Sequence, residues 1–244
     1  MTDARTARYD FTLNPAPSVR VEHVGEEREP VLIIDGVLRH PEALVDYAAT
    51  EVAFAPAWRE DDGFPGLRAP APLNFIRSVV LAVSDLVVST FDLGAVKLGR
   101  AECNLSIVSM RPDDLAPKQR IPHVDTSDPL QFAYLLYLGA PRFGGTAFYR
   151  HRSTGFEAIT PERWDEWQAV RTRELAEAPP AGYIAGDTAH YAQTGAVDAV
   201  YNRLVIYRSR LLHAGLIPPG IALPTSPREG RLTANIFVAY RPLS

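Results

Sequence analysis

The chain has 244 residues, a formal net charge of −4, 46% hydrophobic and 22% charged residues, which is enough apolar content for a sizeable core and too much for a disordered chain. No basic block stands out, which argues against a nucleic-acid partner, and no apolar run is expected to reach the roughly 18–20 residues of a membrane span. The single cysteine, Cys103, excludes an internal disulfide, and the polar start Met-Thr-Asp-Ala-Arg lacks a signal-peptide core, so a reducing cytoplasm is the expected setting.

Residues 1–30 are polar and irregular and read as a lead-in to a single domain over 31–244. Val31-Leu32-Ile33-Ile34-Asp35 is a short apolar run ending at Gly36, which predicts a buried strand. The spacing predicts a helix over 41–54, opened by Pro41, with Leu44, Tyr47 and Ala48 inward. Residues 55–72 are rich in proline and glycine and read as a long loop, with 61–68 as a candidate substrate lid. Ile76, Val79, Val80, Val83, Leu86 and Val87 then recur at helical spacing across 73–91.

From Ala101 the texture turns to strands: 102–110, 130–138, 146–150, 197–207 and 232–240, with a Gly144-Gly145 turn before the third. A surface helix with Trp164 and Trp167 is expected over 161–178. Helical support over 31–95 followed by a run of strands predicts a mainly β barrel or sandwich buttressed by helices. Its core is placed at 100–242, with an insertion at 151–195. The sequence carries no sign of oligomeric state.

The chemistry-bearing feature is His123-Val-Asp125, with a distant His213 in Leu-Leu-His-Ala-Gly. Side chains two apart on a strand share a face, so one imidazole and one carboxylate converge there, and a barrel can deliver the second imidazole. Two histidines and one carboxylate on one side of a metal leave the other positions open, a geometry suited to non-haem iron(II). No serine–histidine elbow, phosphate loop or zinc-cysteine pattern competes.

The order of segments is His-x-Asp, an aromatic strand, Phe-Gly-Gly-Thr-Ala-Phe-Tyr, then Arg-Leu-Val-Ile-Tyr-Arg-Ser-Arg-Leu-Leu-His-Ala-Gly, and finally Gly-Arg-Leu-Thr-Ala-Asn-Ile-Phe-Val. Over roughly 100–240 this resembles the iron(II)- and 2-oxoglutarate-dependent dioxygenases, in particular their prolyl-hydroxylase-like branch. More narrowly it resembles the DUF6445 family, through Pro-Gly-Leu-Arg-Ala-Pro, Phe-Tyr-Arg-His-Arg and Gly-Tyr-Ile-Ala-Gly-Asp. The resemblance implies a double-stranded β-helix (a jelly-roll barrel). It implies His123, Asp125 and His213 as iron ligands. It further implies Arg231 as the anchor of 2-oxoglutarate, with Thr233 on the same strand face and Tyr134 reaching the co-substrate. Arg208, Arg210 and Arg228 are nearby alternatives to Arg231.

Fe(II), 2-oxoglutarate and molecular oxygen are then the expected reactants, with a small-molecule, amino-acid or peptide substrate. In related halogenases a small residue replaces the carboxylate ligand, so Asp125 points to hydroxylation or desaturation. A cupin-like metal-binding barrel without oxygen chemistry and an inactive interaction module are the alternatives. Arg150, His151 and Arg152, after the Gly-Gly strand, are candidates for an anionic substrate group.

Overall fold

The computed structural model of the chain describes residues 8–58, 63–178 and 180–243. In chain order the elements are β1 (Ser18–Val24), β2 (Glu29–Asp35), α1 (Pro41–Thr50), β3 (Ala55–Trp58), β4 (Gly63–Pro70) and α2 (Leu73–Thr90). They continue with β5 (Val96–Val108), β6 (Gln131–Tyr137), β7 (Thr146–His151), α3 (Trp164–Glu177), β8 (Tyr191–Val197), β9 (Arg203–Arg208), β10 (His213–Gly215) and β11 (Arg231–Pro242). Eight strands form one antiparallel sheet in the order β1-β2-β9-β6-β11-β5-β4-β3, and three form a second, β10-β7-β8. A bridge between His123 and His213 adds the segment around residue 123 to the free edge of β10.

From β5 onward the chain alternates between the sheets: β5 in the large one, the 123 segment in the small one, β6 in the large, β7 and β8 in the small, β9 in the large, β10 in the small and β11 in the large. That winding is the double-stranded β-helix, or jelly roll. The fold is mainly β, as the sequence implies.

Three cores hold four layers together. On β6, Phe132, Tyr134 and Leu136 join α1 and α2 in the core behind the large sheet. The intervening Ala133, Leu135 and Tyr137 face Phe148 and Val197 of the small sheet. Outside the small sheet, Ala147, Tyr149, Leu212 and Ala214 pack against Trp167 of α3. Period-two alternation thus sends successive side chains of one strand into different cores, and each large apolar side chain buried contributes roughly 1.5–3 kcal/mol. In α2, Ile76, Val79, Val80, Val83 and Val87 of the expected stripe are buried, joined by Phe75, while Leu86 is only partly buried. Pro41 opens α1 as expected, where its missing N–H costs nothing.

Four expectations need correction. Residues 18–30 are not an irregular lead-in, because Ser18–Val24 pairs with Glu29–Asp35 along its whole length. Its sequence alternates but two of its three valines stay exposed, Val19 at 45% and Val21 at 41%, as on an edge strand, while Val24 is buried. The expected 55–72 loop is a hairpin whose second strand, β4, lies beside β5 and carries Arg68. Edge strands tolerate proline, which is why the composition reads as loop. Of the candidate lid, residues 61 and 62 lie outside the described part, and Gly63–Arg68 belong to β4. The 197–207 strand is two strands in different sheets, split by a turn at Asn202, whose φ is 64°. Finally, α2 is by length and hydropathy (18 residues, mean 1.5) the one described helix that could cross a bilayer, although its apolar stripe is spent on the sheet. The connection between β7 and β8 carries α3, and the expected insertion at 151–195 overlaps both flanking strands.

Candidate metal centre

A pair of backbone hydrogen bonds sets the two histidines face to face. The His123 N–H donates to the His213 carbonyl and the His213 N–H to the His123 carbonyl, each at 2.9 Å. Asp125 is fixed in the same manner, its N–H donating to the Ser209 carbonyl at 2.9 Å. The side chains therefore project together: the imidazole centroids are 4.4 Å apart, Asp125 Oδ1 lies 3.9 Å from His123 Nε2, and Asp125 Oδ2 lies 3.9 Å from His213 Nε2. One ligand atom from each of His123, Asp125 and His213 falls within 4.8 Å of the others, the one such group among the described residues.

The protonation pattern suits cation binding. His213 Nδ1 lies 2.8 Å from the Leu211 carbonyl, which can only accept, so Nδ1 donates there and Nε2 is the nitrogen turned toward Asp125 and His123. His213 is buried, whereas half of the His123 side-chain surface (50%) opens into the cleft. Desolvation holds the His123 imidazole well below its ordinary pKa, with the neighbouring His213 adding to the effect. Burial pushes the Asp125 carboxyl upward, opposed by the charges of His213 and Arg68. A His123 imidazole that resists protonation and a poorly solvated carboxylate both gain from an added cation.

Arg231 opens β11 and is almost fully buried, at 6% exposure. Its Nε donates to the carbonyls of Phe143 (3.2 Å) and Gly144 (3.3 Å), and its Nη2 to that of Gly145 (2.9 Å). The Gly144-Gly145 turn seen in the sequence is this cradle. Gly144 has φ +74°, and a Cβ on it would lie 1.7 Å from the Leu216 carbonyl oxygen. On Gly145 a Cβ would lie 1.9 Å from the Val197 carbonyl oxygen. No carboxylate of the described residues forms an ion pair with Arg231. Its electrostatic neighbours are the hydroxyls of Tyr137, Tyr183 and Tyr207. Burial lowers its pKa, with those tyrosines acting in the opposite direction. The other arginines near it in sequence are engaged elsewhere: Arg208 and Arg210 on Glu29, Arg228 on Asp46.

Thr233 shares the Arg231 face and is buried, and its hydroxyl donates to Asn235 Oδ1 at 2.7 Å. Ser106, its partner across the sheet, has a buried hydroxyl with no hydrogen-bond partner. Tyr134 is not part of this constellation. It borders the cleft, but its side chain enters the helix-side core and its hydroxyl meets that of Tyr240 at 3.1 Å. The tyrosine beside Thr233 is Tyr137, three residues on, bonded to Thr146 at 2.7 Å. Sequence reasoning missed Tyr137, Tyr207, Ser106 and Arg68. Arg150 and Arg152 pair with Glu26 and Asp187, and His151 is fully buried on Glu174, so none of the three offers a free charge to a substrate.

The triad and Arg231 line one cleft of about 660 Å3 between the two sheets, whose far wall includes Trp164, Trp167 and Arg171 of α3. On the near wall, Arg68 of β4 stacks over Phe64 at 4.7 Å.

A family model described as "Family of unknown function (DUF6445)" matches residues 15–238. No curated protein matches the chain. Several solved structures do so at low identity. HygX from Streptomyces hygroscopicus, with nickel and 2-oxoglutarate bound, is 13% identical with a TM-score of 0.46, covering 87% of this chain and 82% of that one. The non-heme alpha ketoglutarate dependent carbocyclase SnoK from nogalamycin biosynthesis is 15% identical with a TM-score of 0.45, covering 88% and 81%. An N-substituted L-amino acid dioxygenase from Burkholderia ambifaria AMMD is 13% identical with a TM-score of 0.41, covering 95% of each chain.

Proposed function

The chain belongs to DUF6445, a family described as of unknown function, and from the chemistry of its cleft we propose that it is an oxygenase dependent on iron(II) and 2-oxoglutarate. One juxtaposition carries the reading: a two-histidine, one-carboxylate cluster shares a cleft with a buried guanidinium that has no carboxylate partner among the described residues.

The residues fit both groups. His123, Asp125 and His213 would hold the metal, since two imidazole nitrogens and one carboxylate form a donor set suited to iron(II) and leave coordination positions open. Arg231 would take the distal carboxylate of the co-substrate. A buried cation without a counterion is costly, and a guanidinium fork matches a carboxylate in two hydrogen bonds. Thr233 and the unpaired Ser106 hydroxyl stand beside that place on the same face. Bound iron(II) and 2-oxoglutarate would together let molecular oxygen act as the oxidant, one of its atoms going to the co-substrate as that loses carbon dioxide and becomes succinate, the other serving to oxidise an unactivated C–H bond.

The protein's own part is positioning and shielding. The Leu211 carbonyl orients His213, Ser209 holds the backbone of Asp125, and the Gly-Gly turn fixes Arg231. The α3 wall and β4 flank the cleft on either side of the cluster. With Asp125 in the carboxylate place, hydroxylation or desaturation of a small-molecule, amino-acid or peptide substrate is the outcome proposed.

An anaerobic titration with iron(II) and then 2-oxoglutarate tests this. The expected result is a visible charge-transfer band that is absent in His213→Ala and needs far more 2-oxoglutarate in Arg231→Met. Iron binding without any band would move the chain to the metal-binding barrels without oxygen chemistry. Absence of iron binding would remove the metal reading altogether.

A further inference from the structure

Arg68 is a second arginine in the cleft, and the constellation above does not use it. It lies on β4 across from Ser106, while Arg231 lies on β11 across from Val108. Two strand spacings and one two-residue step separate them, so their backbones are about 12 Å apart. The two also have different neighbours: Arg231 acts on the tyrosine hydroxyls, whereas Arg68 acts on His123 and Asp125.

Among the described residues, Arg68 has no carboxylate partner. Its Nε is buried with no hydrogen-bond partner, and no described carboxylate lies within ion-pair distance of it. Its one contact of note is the Phe64 ring beneath the guanidinium. Asp125 is the acid that acts on it, without forming an ion pair, and that carboxylate is the one given to the metal in the reading above. Burial depresses the pKa of this arginine, opposed by the charge of Asp125. Unpaired buried donors and desolvated charges are costly, and natural sites retain them where a ligand supplies the missing half. Aromatic and aliphatic side chains complete this end of the cleft, with Phe64 below the guanidinium and Trp164, Val124 and Ile184 among the residues lining the cleft.

We propose that Arg68 is the substrate anchor, and that the substrate is a small organic acid whose carboxylate pairs with this guanidinium while its apolar body lies along the aromatic wall beside the metal centre. The assignment of substrate end and co-substrate end rests on the oxygenase reading, whereas an anion site at Arg68 does not.

The test is calorimetric, with N-acetyl-L-phenylalanine and its primary amide as probes, on anaerobic protein loaded with iron(II) and saturating 2-oxoglutarate. The acid is expected to bind at least tenfold more tightly than the amide, the scale of one charge-assisted pair. Arg68→Met should bring the acid down to the amide's affinity and leave 2-oxoglutarate affinity within about twofold, which also shows that the variant is folded. Arg68→Lys should fall between, keeping the charge but losing the fork. Equal affinity of acid and amide for the native protein would overturn the proposal, as would native-like acid binding by Arg68→Met. A loss of 2-oxoglutarate binding in Arg68→Met would overturn it too, making Arg68 the co-substrate's residue. Acid binding that depends on Arg68 in a protein that gives no 2-oxoglutarate band would keep the anion site and remove only the oxygenase reading.

Discussion

Gly145→Ala is the sharpest probe of how the backbone positions Arg231. The added Cβ would sit 1.9 Å from the Val197 carbonyl oxygen and 2.9 Å from the Ala199 nitrogen. Both are backbone atoms, so no side-chain rotation relieves the clash, and the chain must move by about 1.5 Å to reach ordinary contact. Overpacking of this kind costs roughly 1–3 kcal/mol. In a domain of this size each kcal/mol shifts the melting temperature by about 2–4 °C, so a drop of roughly 2–12 °C is expected in a thermal scan. The Gly145 carbonyl also accepts from Arg231 Nη2 at 2.9 Å, so the same movement should weaken 2-oxoglutarate binding in the visible titration. Gly215→Ala is the internal control. Its Cβ would come no closer than 3.5 Å to any neighbour, here Arg231 Nη2, so little loss of stability is expected. A Gly145→Ala protein that melts like the native one and binds 2-oxoglutarate equally well would refute the claim that close backbone approach dictates this glycine.

Tyr134→Phe removes a buried hydroxyl that meets Tyr240 at 3.1 Å; it should cost about 1 kcal/mol in a denaturant titration and leave 2-oxoglutarate affinity unchanged. Reduced co-substrate affinity in that variant would return Tyr134 to the site. Asp35 sits between Arg203 (2.5 Å) and Arg20 (2.8 Å), and the hydrogen bond from Arg203, ahead of that from Arg20, holds its carboxyl below the ordinary range. A depressed carboxyl contributes stability above its unfolded pKa, near 4, and loses it as the pH falls through the lower folded value. Asp35→Asn should therefore be less stable than the native protein at pH 7 by about 1 kcal/mol, a figure reduced for partial exposure, and the gap should close below about pH 4. A gap of constant size across that range would show that the pair contributes packing alone.

The convergence of His123, Asp125 and His213 could be read from the chain because its logic is local: two residues two apart on an extended segment plus a histidine in a second apolar segment. The Arg231–Thr233 pairing on one face follows from the same rule. The placing of Tyr134, whose side chain enters the helix-side core, was not legible for a related reason. Every residue from Phe132 to Tyr137 is buried, since both faces of β6 are covered, and no polar–apolar alternation marks which face meets the cleft. Only the register with β11, in which Thr233 lies across from Tyr137, decides it. Arg68 was hidden because proline and glycine around it read as loop, and the edge strand it occupies is defined by pairing with β5 rather than by its own composition. The aromatic and hydroxyl neighbours of Arg231 come from β6, β9 and the 183 region, brought together only by the barrel's winding.

The two sides of the cluster are built unequally. His213 belongs to β10, which is laddered to β7, whereas His123 and Asp125 sit on a stretch tied on by three backbone hydrogen bonds, two to residue 213 and one to residue 209. An ion held by all three side chains would clasp that stretch across ninety residues of intervening sequence. Occupancy and folding would then be thermodynamically linked, and an ion at a hundred times its dissociation constant would add about 2.7 kcal/mol to the stability of the whole domain. The cluster would serve the barrel as a fastener as well as a reaction centre.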